Sequence, residues 1–116
     1  MESILTSIKK LLGIAEEYDH FDPDIIMHIN SVFMILNQLG VGPEECFQIE
    51  DELATWADFL EDPTRLPMVK SYMGHKVRLL FDPPSSSTHM NAITQMINEF
   101  EWRLNIAADP WELKDT

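Results

Sequence analysis

At 116 residues the chain has the length of one domain with a single modest core, and a hydrophobic content of 45% is that of a folded protein, not a disordered one. Its 20 Asp and Glu against 8 Lys and Arg give a formal net charge of -12. Binding a phosphate backbone or an anionic membrane surface needs clustered cations, so this balance argues against both and is otherwise that of a well-solvated surface.

Cys46 is the lone cysteine, so no internal disulfide can form and nothing points to an oxidising compartment. Met1-Glu2-Ser3 is not followed by a basic patch and a long apolar run, and stretches such as Val32 to Leu36 are too short to span a bilayer. The expectation is a soluble, intracellular protein.

Helical periodicity runs through the chain, without the alternation and hairpin turns that mark strands. The first helix places Ile4, Leu5, Ile8, Leu11 and Leu12 on one stripe and stops at Gly13. After a polar connection from Glu16 to Phe21, Asp22 is suited to cap a second helix, with Pro23 at its first position and Asp24 complementing the dipole. Ile25, Ile29, Val32, Phe33 and Leu36 form its main apolar face, which Ile26, Met27 and Met34 widen, so this helix is expected at the centre of a bundle, ending at Gly40.

Beyond the Gly42-Pro43 turn, Ile49, Leu53, Trp56 and Leu60 recur at helical spacing until Asp62-Pro63 and Leu66-Pro67 interrupt it. A fourth helix is expected from about Pro67 to Phe81, packing through Val69, Met73, Val77 and Leu80, and Asp82-Pro83-Pro84 stops it. Ser85 to Thr88 offer caps for a fifth helix with Met90, Ile93, Ile97, Phe100 and Leu104 on one face. The expected fold is all-α: a small bundle of four to five helices over residues 1–108, followed by a short C-terminal tail, 109–116, expected to be mobile alone and to order on binding.

Few residues suggest chemistry. His20, Asp22, Asp24 and His28 are the best metal candidates, since Asp24 and His28 are four apart on one helix. The remaining ligands lack recognisable spacing, and cap and surface roles account for all four. Cys46 follows Glu44-Glu45, whose charge disfavours a thiolate, and reads better as a small, partly buried hydrophobe. His75 and His89 stand alone, and the acidic pairs Glu44/Glu45 and Asp51/Glu52 lie near expected helix starts. The four glycines are scattered, with no phosphate loop. No catalytic, cofactor or metal site is expected.

The less ordinary features concern association. Trp102 lies almost opposite the apolar face of the fifth helix, so Trp102 and Ile106 emerge on its other side. Two readings are open: another helix of the same subunit covers them, or Trp102 anchors a subunit interface. The scarce cations gather on and just before the fourth helix, at Arg65, Lys70, Lys76 and Arg78. Lys70, Gly74 and Arg78 share one stripe, where Gly74 is either a tolerated surface glycine or a point of close approach by a neighbouring backbone. A cationic face on an acidic molecule suits head-to-tail packing, which closes into a ring when the rotation permits.

At the second helix, Asp24 to Phe33 (DIIMHINSVF) and Asn37 to Gly42 (NQLGVG) resemble the head–tail connector (adaptor) family of long-tailed bacteriophages and prophages. Lys76 to Pro84 (KVRLLFDPP) and Glu101 to Asn105 (EWRLN) look like the same family's later segments, with Trp56 to Phe59 (WADF) between. Gly74-His75 departs from the more apolar residues expected there. The resemblance extends from the first helix to about Asp109 and rests on structural strings, whose order and spacing matter more than any one of them.

The resemblance implies a helical subunit that docks beneath the portal after DNA packaging and extends the channel toward the stopper and tail. It implies a ring matching the portal's dodecameric symmetry, a place in the virion neck after synthesis in the bacterial cytoplasm, and neither enzymatic activity nor a cofactor. DNA would pass through the lumen without sequence-specific contact, and carboxylates lining that lumen would repel its phosphates. Lys70, Gly74, Arg78, Trp102, Ile106 and Trp111 are the expected subunit or portal contacts, and the tail is expected to order against the portal. The alternatives are a phage-encoded helical regulator binding a host or phage protein, then a metal-dependent helical hydrolase, then a DNA-binding regulator resting on the one basic helix.

Overall fold

The computed structural model describes residues 2–108, and every regular element among them is a helix: α1 (Ile4–Leu11), α2 (Asp22–Gln38), α3 (Trp56–Phe59), α4 (Leu66–Phe81) and α5 (Ser87–Ala108). The one sheet-like contact among the described residues is an isolated antiparallel bridge between Ser3 and Thr55. No helix among the described residues is long and apolar enough to cross a membrane.

Local sequence sets the helix ends. The Ser3 side chain accepts from the Thr6 N–H to cap α1. Gly13 and Gly40 follow the last turns of α1 and α2 with positive φ of 78° and 84°. That left-handed conformation lets the Ile14 N–H reach the Lys9 carbonyl and the Val41 N–H reach the Leu36 carbonyl, each at 2.9 Å, closing both helices with Schellman bonds. Pro67 lies in the first turn of α4, and Asp62 accepts from the Thr64 and Arg65 N–H groups just before it. Ser86 accepts from the His89 N–H at the start of α5.

The core lies where α1, α2 and α4 meet, with α5 packed along α4. Ile25, Ile29, Val32, Phe33 and Leu36 are the buried residues of α2, as its periodicity requires. Its expected widening occurs only at Ile26, which packs partly buried against the core, whereas Met27 and Met34 face solvent because α1 and α4 cover only one side of the helix. On α4 the buried set is Val69, Tyr72, Met73, Gly74 and Val77. Leu80, expected inside, is exposed, whereas Tyr72 is buried at its ring while its hydroxyl donates to Glu101 of α5 at 2.7 Å. Ile93, Ile97 and Leu104 seat α5 against this surface.

The region from Pro43 to Leu60 departs most from expectation. Only Trp56–Phe59 is helical, and Leu53 is 76% exposed where the periodicity put it inside. Side chains of α2 supply the loop's hydrogen bonds instead. Asn30 donates to the Ile49 carbonyl at 3.0 Å and accepts from its N–H at 2.8 Å, while Asn37 donates to the Pro43 and Glu44 carbonyls. Phe47 closes the loop onto Phe33 and Phe59, with ring centroids 5.1 and 5.5 Å away. α3 then starts at a capping box between Thr55 and Asp58.

Asp22 is not the cap of α2. It is the first helical residue, and its carboxylate lies 2.9 Å from Lys9 Nζ. A buried ammonium needs a counter-charge more than an exposed helix start needs a side-chain acceptor, and that decides where Asp22 turns.

Candidate functional site

The cationic stripe expected on α4 lies along a groove of about 670 Å³ between α1 and α4. Lys70, Ser71, Gly74, His75 and Arg78 form the α4 wall; Ser7, Lys10 and Leu11 come from α1, with Glu2 and Trp56 at the rim. The helices approach closely because Gly74 has no side chain: a Cβ there would lie 2.7 Å from Leu11 Cδ1. The close approach at Gly74 is thus made by Leu11 of the same chain. Arg65 and Lys76 stand apart from the groove, paired with Asp62 and Glu101.

Lys70 pairs with Glu2, and its Nζ lies 5.8 Å from the centre of the Trp56 ring. Trp56 is fixed in turn by its indole N–H, which donates to Ser7 Oγ at 2.8 Å. Lys10 and Arg78 have no ion-pair partner among the described residues, and the buried Arg78 Nε has no hydrogen-bond partner there either. His75 is half-buried, its ring stacked on Phe100 at 6.4 Å. Burial first, and the Arg78 charge second, hold its pKa below the usual histidine value.

Trp102 lies opposite the apolar face of α5 and is 65% exposed, so among the described residues no other helix covers it, and Ile106 is half-buried on the same side. Trp111, the other tryptophan expected at a contact, and the 109–116 tail lie outside the described residues. Met27 and Met34 of α2 and Leu80 of α4 are further exposed apolar side chains that the periodicity had assigned to the core.

The suggested metal ligands are not gathered. Asp22 pairs with Lys9, His20 packs against Tyr18 and Phe21, and His28 lies edge-on to Phe81. No group of three or more His, Cys, Asp or Glu among the described residues is placed to hold an ion. Cys46 is exposed, not partly buried, because its loop is anchored by the neighbouring Phe47.

Sequence reasoning missed a second surface. The α1–α2 connection is a folded loop, secured by Lys9, which is almost fully buried. Lys9 Nζ donates to the Glu16 carbonyl at 2.8 Å as well as pairing with Asp22. The loop presents Glu16, Glu17, Tyr18 and Asp19 to solvent beside a second pocket of about 310 Å³. The usable signal was a lysine inside an apolar stripe.

An all-α bundle with a cationic groove, an acidic loop and scattered exposed apolar side chains is organised for contact with other proteins. A family model described as "Phage connector protein" matches residues 4–110, nearly the whole chain. The chain belongs to the phage connector family. Members of that family are structural components of the virion that act through contacts with other phage proteins. No curated protein and no solved structure compared with the chain gave a match.

Proposed function

We propose that the chain is a head–tail connector (adaptor) subunit: copies form a ring beneath the portal, extend the DNA channel, and link the capsid to the stopper and tail. The observation that carries this reading is the family match over residues 4–110. Ring symmetry follows the portal and is dodecameric, and the subunit, made in the bacterial cytoplasm, resides in the virion neck. The role is mechanical, without catalysis, cofactor or sequence-specific DNA contact. Residues 1–108 form the connector domain and 109–116 its tail.

Lys70, Gly74 and Arg78 on the groove, and Trp102 and Ile106 on α5, are the proposed subunit and portal contacts, with Trp111 of the tail. An exposed tryptophan gains most when a partner desolvates it, which favours Trp102 as an anchor. In the 43–55 loop, Glu44, Glu45, Glu50 and Glu52 are exposed and have no ion-pair partner among the described residues. Turned toward the lumen, they would keep the genome from adhering.

Co-sedimentation of the purified protein with portal rings tests the reading. Saturable binding at one copy per portal subunit is expected, and Trp102→Ala weakens it while changing fold stability by less than about 0.5 kcal/mol. A stable monomer or dimer with no affinity for the cognate portal would overturn it in favour of a helical regulator.

A further inference from the structure

We infer that the α1/α4 groove of one copy receives the α1–α2 loop of the next, with Tyr18 as the anchor and Glu16, Glu17 and Asp19 facing Lys10, Lys70 and Arg78. The inference rests on the ring-forming reading above and names the contact that joins the subunits.

Charge complementarity is the first support. On a chain of net charge -12, the groove brings together three cations, of which Lys10 and Arg78 have no ion-pair partner among the described residues. Leu11, 57% exposed, gives it an apolar lining that suits an aromatic side chain flanked by carboxylates. The α1–α2 loop has that composition: Tyr18 is half exposed, and Glu16, Glu17 and Asp19 surround it in sequence, all at the surface.

The loop is also built before any partner arrives. Gly13 turns the chain out of α1, and the Ile14 N–H closes on the Lys9 carbonyl. Tyr18 N–H donates to the Ala15 carbonyl, Asp22 N–H donates to the Asp19 carbonyl, and Lys9 clamps both sides of the loop through the Glu16 carbonyl and the Asp22 carboxylate. Little conformational entropy remains to be lost on docking, which is what lets a small contact bind.

Position supplies the third argument. Ser7, Lys10 and Leu11 line the groove, whereas Leu5, Thr6 and Lys9 line the pocket beside the loop. At about 100° per residue these two sets lie roughly half a turn apart on α1. The groove and the loop therefore sit on opposite sides of one helix. A contact between such non-identical surfaces is heterologous, repeats head to tail, and closes as a ring when the rotation permits.

A crosslinking experiment tests the contact in the full chain carrying Cys46→Ser. A copy with Glu17→Cys is mixed with a copy with Ser71→Cys on portal rings and mildly oxidised. We expect a disulfide-linked dimer in at least tenfold greater yield than when the second cysteine is Asn91→Cys, on the outer side of α5. A chain carrying both Glu17→Cys and Ser71→Cys is expected to give a ladder of linked subunits. In a second arm, Lys10→Glu with Arg78→Glu weakens assembly at least tenfold, and a partner with Glu17→Lys and Asp19→Lys restores it, with thermal unfolding confirming that each variant folds. Dimer yield equal to the Asn91→Cys control, or only intramolecular disulfide, while the wild type still assembles on portals, would overturn this contact and leave the ring reading standing. A wild type that never assembles, alone or with portals, removes both.

Discussion

Lys9 and Asp22 join the end of α1 to the start of α2 through an ion pair of 2.9 Å in which the lysine side chain is 3% exposed. The ammonium is desolvated, so its worth lies less in Coulomb attraction than in avoiding an uncompensated buried charge. The same ammonium donates to the Glu16 carbonyl, which makes the shape of the acidic loop depend on it.

Replacing Lys9 with Met keeps most of the aliphatic stem but leaves the Glu16 carbonyl without its donor and the Asp22 carboxylate without its counter-charge. Stability should fall by about 2 kcal/mol, the scale of losing a charged hydrogen-bond donor from a largely buried site. Hydrogen exchange should rise selectively over residues 14–20. Chemical denaturation and exchange mapping together check this, and uniform protection of the loop would show that Lys9 is not its anchor.

Gly74→Ala should separate folding from assembly. Alanine gains about 1 kcal/mol of helix propensity over glycine, and the atom in its way is the end of a flexible, exposed leucine side chain. Stability should therefore hold or rise slightly, while the displaced Leu11 narrows the groove and weakens assembly. Denaturation midpoints measured beside portal co-sedimentation check both halves.

Asn30→Ala removes both hydrogen bonds that fix Ile49, leaving its buried backbone groups without their partners. A loss of about 2 kcal/mol is expected. Faster amide exchange confined to residues 43–55 should accompany it, whereas the ends of α1 and α4 stay protected.

His75 makes stability depend on pH. Burial and the neighbouring Arg78 charge hold its folded pKa below the ordinary histidine value of about 6.5, so the unfolded chain takes up the proton more readily. Stability is unaffected well above that value and falls as acidification passes down through it, because protonation favours the unfolded state. His75→Gln should flatten that part of the profile between about pH 7.5 and 5.5, leaving the steeper acid limb from carboxylates. Urea midpoints across the range check the difference between the two proteins.

Much of the bundle was legible in the sequence because its signals are local. Gly13 and Gly40 after apolar stripes, Pro23 and Pro67 at helix starts, and serines ahead of α5 each act within one turn, and the structure places the corresponding boundaries there. The place of Trp102 opposite the apolar face of α5 followed from the same helical geometry, whereas its exposure was decided by which helices pack there. The 43–60 region could not be read in this way. Its helical spacing competed with hydrogen bonds offered by Asn30 and Asn37, residues that are close only once α2 is folded.

The sequence by itself determined the four main helices, the acidic balance, the cationic stripe of Lys70, Gly74 and Arg78, and the strings that resemble the connector family. Tertiary structure alone decided that Asp22 serves Lys9 instead of capping α2, that Tyr72 is buried against Glu101, and that Leu11 fills the space left at Gly74. These depend on residues far apart in the chain, whose burial and pairing are settled by which helix faces meet. A buried charge or hydroxyl must find its partner in that packed interior, and no local preference specifies which partner it will be.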